Sequence, residues 1–252
     1  MEPVAGSDNA PELLYGLHTV REALRAGTRP LLKLLVVQRD KQFAELVGLA
    51  RAAGVPVQIE PRPALDRLVP DGRHQGVVGM VASKRYSDQD EILEYARRRN
   101  EPPFVLVLDG VEDPHNLGAI LRTAEAAGVH GVFIPERRSV GLTGTVAKVS
   151  AGALEHLRVG RVLNVSRLIE GLQASGLWVY ALEPQAAKPY TALDLRGAVA
   201  LVLGGEGKGV RSGVLGKCDD RVSIPMRGQV ASLNVSAAAA IVLFEAVRQR
   251  MG

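Results

Sequence analysis

Cysteine is almost missing from this chain: among 252 residues only Cys218 carries a thiol. An internal disulfide is therefore impossible, and a structural zinc site built on thiolates is excluded. Aromatic side chains contribute 4% of the residues, so a core must be assembled from Leu, Val, Ile and Ala. The same scarcity argues against a single-strand reader that stacks successive bases on aromatic rings. No apolar run reaches the roughly 18 residues of a membrane-spanning helix, and the N-terminus lacks the basic-then-apolar order of a signal peptide. A cytoplasmic protein without membrane association is expected. A large excess of one charge is missing too. Lys and Arg number 31 against 27 Asp and Glu, a net +4, which permits a nucleic-acid partner without demanding one. The histidines (His18, His74, His115, His130 and His156) show no metal-ligand spacing, and no metal is expected. There is no G-x-S-x-G nucleophile motif.

What is present is an alternation of strand-length apolar runs with helical periodicity. Residues 1–12 read as a tail. Residues 13–83 read as a small α/β domain: helix Leu17–Ala26 stopped by Gly27, strand Leu31–Val37, helix Lys41–Ala53, strand Val55–Ile59, a short helix near Ala64–Leu68, and strand Gly76–Ala82. The charged stretch 84–101 reads as a linker with one weak helical segment, and its Arg97, Arg98 and Arg99 suit a solvated helix end better than a phosphate contact. From 102 to 252, strands at Phe104–Leu108, Gly131–Ile134, Leu177–Leu182, Ala198–Leu203 and Arg221–Ile224 alternate with helical stretches, the last from Val235 onward. This order predicts an α/β fold with a mainly parallel sheet covered on both faces, its ligands at the carboxyl ends of the strands.

Three loops that follow predicted strands stand out. Gly204-Gly-Glu-Gly-Lys-Gly209 fails as a phosphate loop, because Val202 stands where the first glycine belongs and Gly209 where Ser or Thr should hold magnesium. It fails as a dinucleotide fingerprint as well, since no start places glycine at the first, third and sixth positions. It is either a glycine-rich turn or a strand-end loop whose backbone approaches a ligand, with Glu206 as a fixed carboxylate. In the second loop Asp113 and Pro114 set up a helix start. Asn116 is turn chemistry or site chemistry. Arg122 lies between Leu121 and Ala124, both expected to be buried, so it is either paired or functional. It also lies roughly 120° from Asn116 around the helix, so the two share a site only if Asn116 sits at the helix tip. In the third loop, Ser232 and Asn234 of an extended segment point the same way and Leu233 points inward. Asn234 equally suits a cap for the last helix.

Taken in this order, the three loops resemble the three motifs of the SpoU (TrmH) branch of SPOUT RNA 2′-O-ribose methyltransferases. Asn116 with Arg122 resembles the first motif, Leu203 to Gly207 the second, and Ile224-Pro225 through Ser232-Leu233-Asn234 the third. Similarity extends to YGLHTVREAL near the start and HQGVVGMV at the end of the first domain, and is strongest to the bacterial 23S rRNA guanosine-2′-O-methyltransferases. Gly205 stands where Ala is common. The resemblance implies a deep trefoil knot in a SPOUT domain over 102–252, an L30e-like RNA-holding domain over 13–83, and a homodimer with the site near the subunit interface. It further implies S-adenosylmethionine lined by Gly204, Ile224 and Leu233, and a catalytic set of Asn116, Arg122, Glu206, Ser232 and Asn234. The implied reaction is methylation of a guanosine ribose in the peptidyl-transferase region of 23S rRNA. Another 23S or tRNA ribose, or a non-catalytic RNA-binding member of the fold, are the alternatives.

Overall fold

The strand-length runs and amphipathic stretches gather into two compact units in the computed structural model, which describes residues 11–38, 41–70, 72–207, 209–229 and 232–251. One unit comprises the chain up to Arg85 together with Leu142–His156, and the other comprises Tyr86–Gly141 and Leu157 onward. Most of the expected tail lies outside the described residues, and Glu12 already belongs to a strand. No described helix is long and apolar enough to cross a membrane.

The first unit contains β1 (Glu12–Tyr15), α1 (Leu17–Ala26), β2 (Leu31–Val36), α2 (Ala44–Ala52), β3 (Val57–Ile59), α3 (Arg62–Leu68) and β4 (Val77–Val81). Its sheet runs β1-β4-β2-β3, with β4 antiparallel to both neighbours and β2 parallel to β3. Residues 142–156, drawn from far down the chain, belong to this unit, where a contiguous reading of the domains puts them in the second. The reason is a buried ion pair. Arg29 donates Nη2 to Glu155 Oε1 at 2.7 Å and Nε to Oε2 at 3.1 Å, and both residues are buried. Arg29 Nη1 also reaches Glu12 Oε2 at 2.7 Å. A forked guanidinium that meets a carboxylate on two donors satisfies charges that would be costly to bury alone.

The second unit opens with α4 (Gln89–Arg98), which corrects the linker expectation for 84–101. Asp88 and Glu91 form a reciprocal capping box, and Ile92, Leu93 and Ala96 are buried. Arg97 pairs with Glu94 and Arg99 with Glu101, so two of the three arginines are neutralised at the helix end. There follow β5 (Phe104–Asp109), α5 (Pro114–Ala126), β6 (Gly131–Pro135), β7 (Val159–Val162), α7 (Val165–Ala174), β8 (Trp178–Leu182), β9 (Val199–Gly204), α8 (Ser212–Leu215), β10 (Asp220–Val222) and α9 (Val235–Met251). The intervening α6 (Gly144–Val149) belongs to the first unit.

The six-stranded sheet runs β10-β8-β9-β5-β6-β7 and is parallel throughout. All six residues of β5 are buried, as two-sided cover requires. Val105 and Val107 join a core with Ile92 and Leu93 of α4 and Leu168, Ile169 and Leu172 of α7. Leu201 and Leu203 of β9 line a small apolar cavity on the other face with Val242 of α9. From β5 the chain moves to β6 and β7 on one side, then crosses to β8 and β9 on the other. The reversal falls between β5 and β9, where open parallel sheets form a crevice at their carboxyl ends.

Candidate active site

Strands β5 and β9 are registered so that Asp109 faces Gly204, and the two motif loops leave the sheet side by side. Their backbones touch. A Cβ on Gly205 would overlap the carbonyl of Gly110, and one on Gly204 would overlap the backbone of Gly209 and Val210. The second loop is a tight turn closed by Gly209 N donating to Gly205 O at 3.2 Å, with Gly207 (φ 75°) and Gly209 (φ 61°) in the left-handed region that glycine adopts without strain. The glycines therefore serve close packing of loop on loop. Glu206 stands exposed on the turn.

Asp113 caps α5 by accepting from His115 N at 2.9 Å, and Pro114 takes the first helical position. Asn116 is thereby in the first turn, at the helix tip that the site requires. Its Nδ2 donates to Glu206 Oε1 at 2.5 Å. Its Oδ1 accepts from Asn234 Nδ2 at 2.9 Å. Asn234 Oδ1 accepts from Ser236 N at 2.8 Å and caps α9. The two readings of Asn234 are therefore compatible: the acceptor half of its amide caps the helix while the donor half reaches the site. The chain Glu206–Asn116–Asn234 joins one residue from each of the three loops.

Other expected site residues lie outside this chain. Leu121 and Ala124 are buried as expected, yet Arg122 is exposed and makes no hydrogen bond or ion pair among the described residues. Of the two alternatives for it, pairing is not observed. Ser232 is exposed and has no recorded partner among the described residues, and its neighbours 230 and 231 lie outside them. Leu233 does not point into the core: it is 38% exposed. The segment follows no strand register at this point, so period-two alternation does not govern it. Ile224 is half-buried just past β10, at the same edge of the sheet as Gly204.

Sequence reasoning gave no role to Asp109 or Arg211. Asp109 Oδ1 accepts from Arg211 Nε at 2.8 Å and Nη2 at 2.5 Å, and its Oδ2 accepts from Arg211 N at 3.0 Å. The signal was a carboxylate ending the otherwise apolar run Phe104–Leu108, since a charge at the end of a buried strand needs a partner. Cys218 is inert chemistry. Burial pushes its thiol up to about 12, and its Sγ faces the carbonyl of Val214 at 3.4 Å.

A parallel sheet with polar side chains on its switch-point loops is the frame of an α/β ligand-binding protein. Comparison with known proteins makes it specific. Residues 103–244 match the SpoU rRNA Methylase family, and residues 13–87 match the family described as RNA 2'-O ribose methyltransferase substrate binding. The chain belongs to the SpoU rRNA methylase family, the one its motifs resemble. It is 43% identical to the TrmH-family protein YacO of Bacillus subtilis (strain 168) over 95% of this chain and 96% of that one. It is 41% identical to the 23S rRNA (guanosine-2'-O-)-methyltransferase RlmB of Shewanella oneidensis, over 95% of this chain and 98% of that one. Among solved structures, the SpoU methyltransferase AviRb from Streptomyces viridochromogenes, in complex with AdoMet, superposes with a TM-score of 0.79 at 26% identity, covering 96% of this chain and 91% of that one.

The residues here fit such a cofactor. Met226 and Leu233 are 39% and 38% exposed and offer apolar cover beside half-buried Ile224. Among the described residues, no hydrogen bond occupies the backbone N–H of Ile224 or Leu233. Apolar side chains with free neutral backbone donors suit an adenosyl group.

Proposed function

We propose that this protein transfers a methyl group from S-adenosylmethionine to the ribose 2′-oxygen of a guanosine in the peptidyl-transferase region of 23S rRNA. The observation that carries the reading is the Glu206–Asn116–Asn234 chain, which unites three loops separated by 90 and 118 residues. The finer substrate is supported by the 41% identity to an RlmB over nearly both whole chains.

The cofactor supplies an electrophilic sulfonium methyl, and Gly204, Ile224 and Leu233 hold it through backbone groups and apolar contact. The work of this chain's side chains is to orient a poor nucleophile and to stabilise charge as its proton passes to solvent water. Arg122, on the same helix as Asn116, makes no ion pair among the described residues. It grips the neighbouring phosphate and stabilises the developing alkoxide, since a guanidinium stays protonated and does not act as a base. Ser232 and Asn234 position the ribose, and Glu206 anchors Asn116.

The expected domain over residues 13–83, part of the first unit, holds RNA in this reading, as the description of its matched family suggests. We further infer a homodimer and a threaded, knotted C-terminal segment. On the exposed side of α9, Phe244 is 49% exposed and Met251 83%, with Arg248 between them, and exposed apolar groups of this size suit contact with a second copy. Mapping the modified nucleotide after reaction with unmodified large-subunit RNA tests the reading. A 2′-O-methylguanosine in the peptidyl-transferase region is expected. Modification only of tRNA, or of another 23S nucleotide, would overturn the substrate assignment.

A further inference from the structure

The loop that carries Glu206 is fastened at both ends to a single residue. At its start, Gly205 N donates to the backbone carbonyl of Asp109 at 3.0 Å. At its end, Arg211 brings its own N–H and its guanidinium to the Asp109 carboxylate, at 3.0 Å to Oδ2 and 2.8 Å to Oδ1. The Asp109 side chain has no exposed surface, whereas that of Arg211 is 47% exposed. Asp109 also precedes the turn into α5, whose first turn presents Asn116. One buried residue is thus the common fixed point, its backbone carbonyl holding the start of the Glu206 loop and its carboxylate holding the end.

We propose that Asp109 and Arg211 are positioning residues for the methyl-transfer site, acting through Glu206 on Asn116. The proposal rests on the reading of that chain as the transfer site. A planar guanidinium that meets a carboxylate on two donors fixes direction as well as distance, and a lysine in its place would supply only a point charge. The backbone N–H of Arg211 adds a third bond, so the geometry of the loop end is set in more than one plane. Neither residue needs to touch substrate. Their contribution is to remove the freedom of the Gly207 and Gly209 turn, which left-handed glycines would otherwise leave loose.

The test is a double-mutant cycle of Arg211→Gln with Glu206→Ala on the full-length protein, with Arg211→Lys as the conservative variant. Arg211→Gln is expected to lower kcat roughly 10–100-fold with KM for RNA little changed, as for a misplacement of about an ångström. Arg211→Lys recovers part of that loss. In the Glu206→Ala background, which has no acceptor for Asn116, the second substitution costs less than about twofold, because residues acting as one unit are not additive. A merely structural role would lower both backgrounds equally, so losses that multiply overturn the proposal. So does an Arg211→Gln enzyme with wild-type kcat. Amide hydrogen exchange over 205–211 provides an arm independent of turnover. Faster exchange confined to this loop in Arg211→Gln supports the clamp, and unchanged exchange refutes it. An inactive wild type would strike the methyltransferase reading while the exchange result still decides the clamp.

Discussion

Asn234 Nδ2 donates to Asn116 Oδ1 at 2.9 Å across 118 residues of sequence, and the same Asn234 caps the terminal helix through its other amide atom. One side chain therefore couples the start of α9 to the start of α5. Folding of the terminal helix and assembly of the site are linked events, because the cap cannot form without orienting the donor.

This coupling predicts the behaviour of Asn116→Asp. The substitution keeps shape but replaces the Nδ2 donor with an oxygen facing Glu206 Oε1, a contact now made at 2.5 Å. Two carboxylates then oppose each other and the loops separate. We expect kcat to fall roughly 100-fold at neutral pH, read by methyl incorporation under saturating substrates. Wild-type kcat in this variant would mean that the hydrogen-bond chain has no part in turnover.

Arg122 has no partner to lose among the described residues, so its removal separates activity from stability. Arg122→Ala is expected to lower kcat at least about 100-fold, as for loss of a charge-stabilising donor. Its unfolding free energy should stay within about 0.5 kcal/mol of wild type, as for an exposed side chain. Denaturant melts alongside single-turnover rates check both halves. Normal turnover would discard the assigned role.

Gly204→Ala tests the packing of loop on loop. Its Cβ would overlap the backbone of Gly209 and Val210, which no side-chain rotation relieves. The second loop must move, at a cost of about 1–3 kcal/mol. Calorimetry should show S-adenosylmethionine binding weakened about tenfold or more, a factor worth about 1.4 kcal/mol. Unaltered affinity would show that Gly204 does not shape the cofactor pocket.

The parallel sheet was legible in the sequence, whereas the candidate site was legible only as three separate loops. Asn116, Glu206 and Asn234 sit in motifs whose residue types announce themselves, and the parallel sheet followed from alternation of runs. The pairing of Asn116 with Glu206, and not with Arg122, depends on helix phase and loop closure that no local pattern encodes. The boundary of the first unit was illegible for the same reason: Arg29 and Glu155 choose each other across 126 residues. The helix α4 falls where one weak helical segment is expected within 84–101, and its strength comes from Asp88 and Glu91 at capping-box spacing and from Ile92, Leu93 and Ala96 at helical spacing. Strand β1 was overlooked because four residues beside an N-terminal tail carry too little pattern.

A pH dependence follows from His130. Burial lowers its pKa below the ordinary 6.5, against the opposing pull of Glu101. Its Nδ1 accepts from Phe104 N at 2.9 Å, so the folded state holds the neutral ring with the proton on Nε2, facing Glu101 Oε2 at 3.0 Å. Unfolding frees the ring to bind a proton as pH falls below 6.5, while the folded state resists until its lower pKa. The unfolded state binds more protons in that window, so stability drops as pH falls through it. His130→Asn keeps an acceptor for Phe104 and cannot titrate. Its stability should change less than that of wild type between about pH 7 and pH 5.5. Parallel stability curves would contradict the assignment.

The most direct measurement follows a labelled methyl from S-adenosylmethionine into large-subunit RNA stripped of ribose methylation, then digests the product with alkali. The account predicts one alkali-resistant dinucleotide carrying the label on a guanosine ribose, and its loss in Arg122→Ala. Label found on a base, or on no RNA at all while the cofactor is bound, would contradict it.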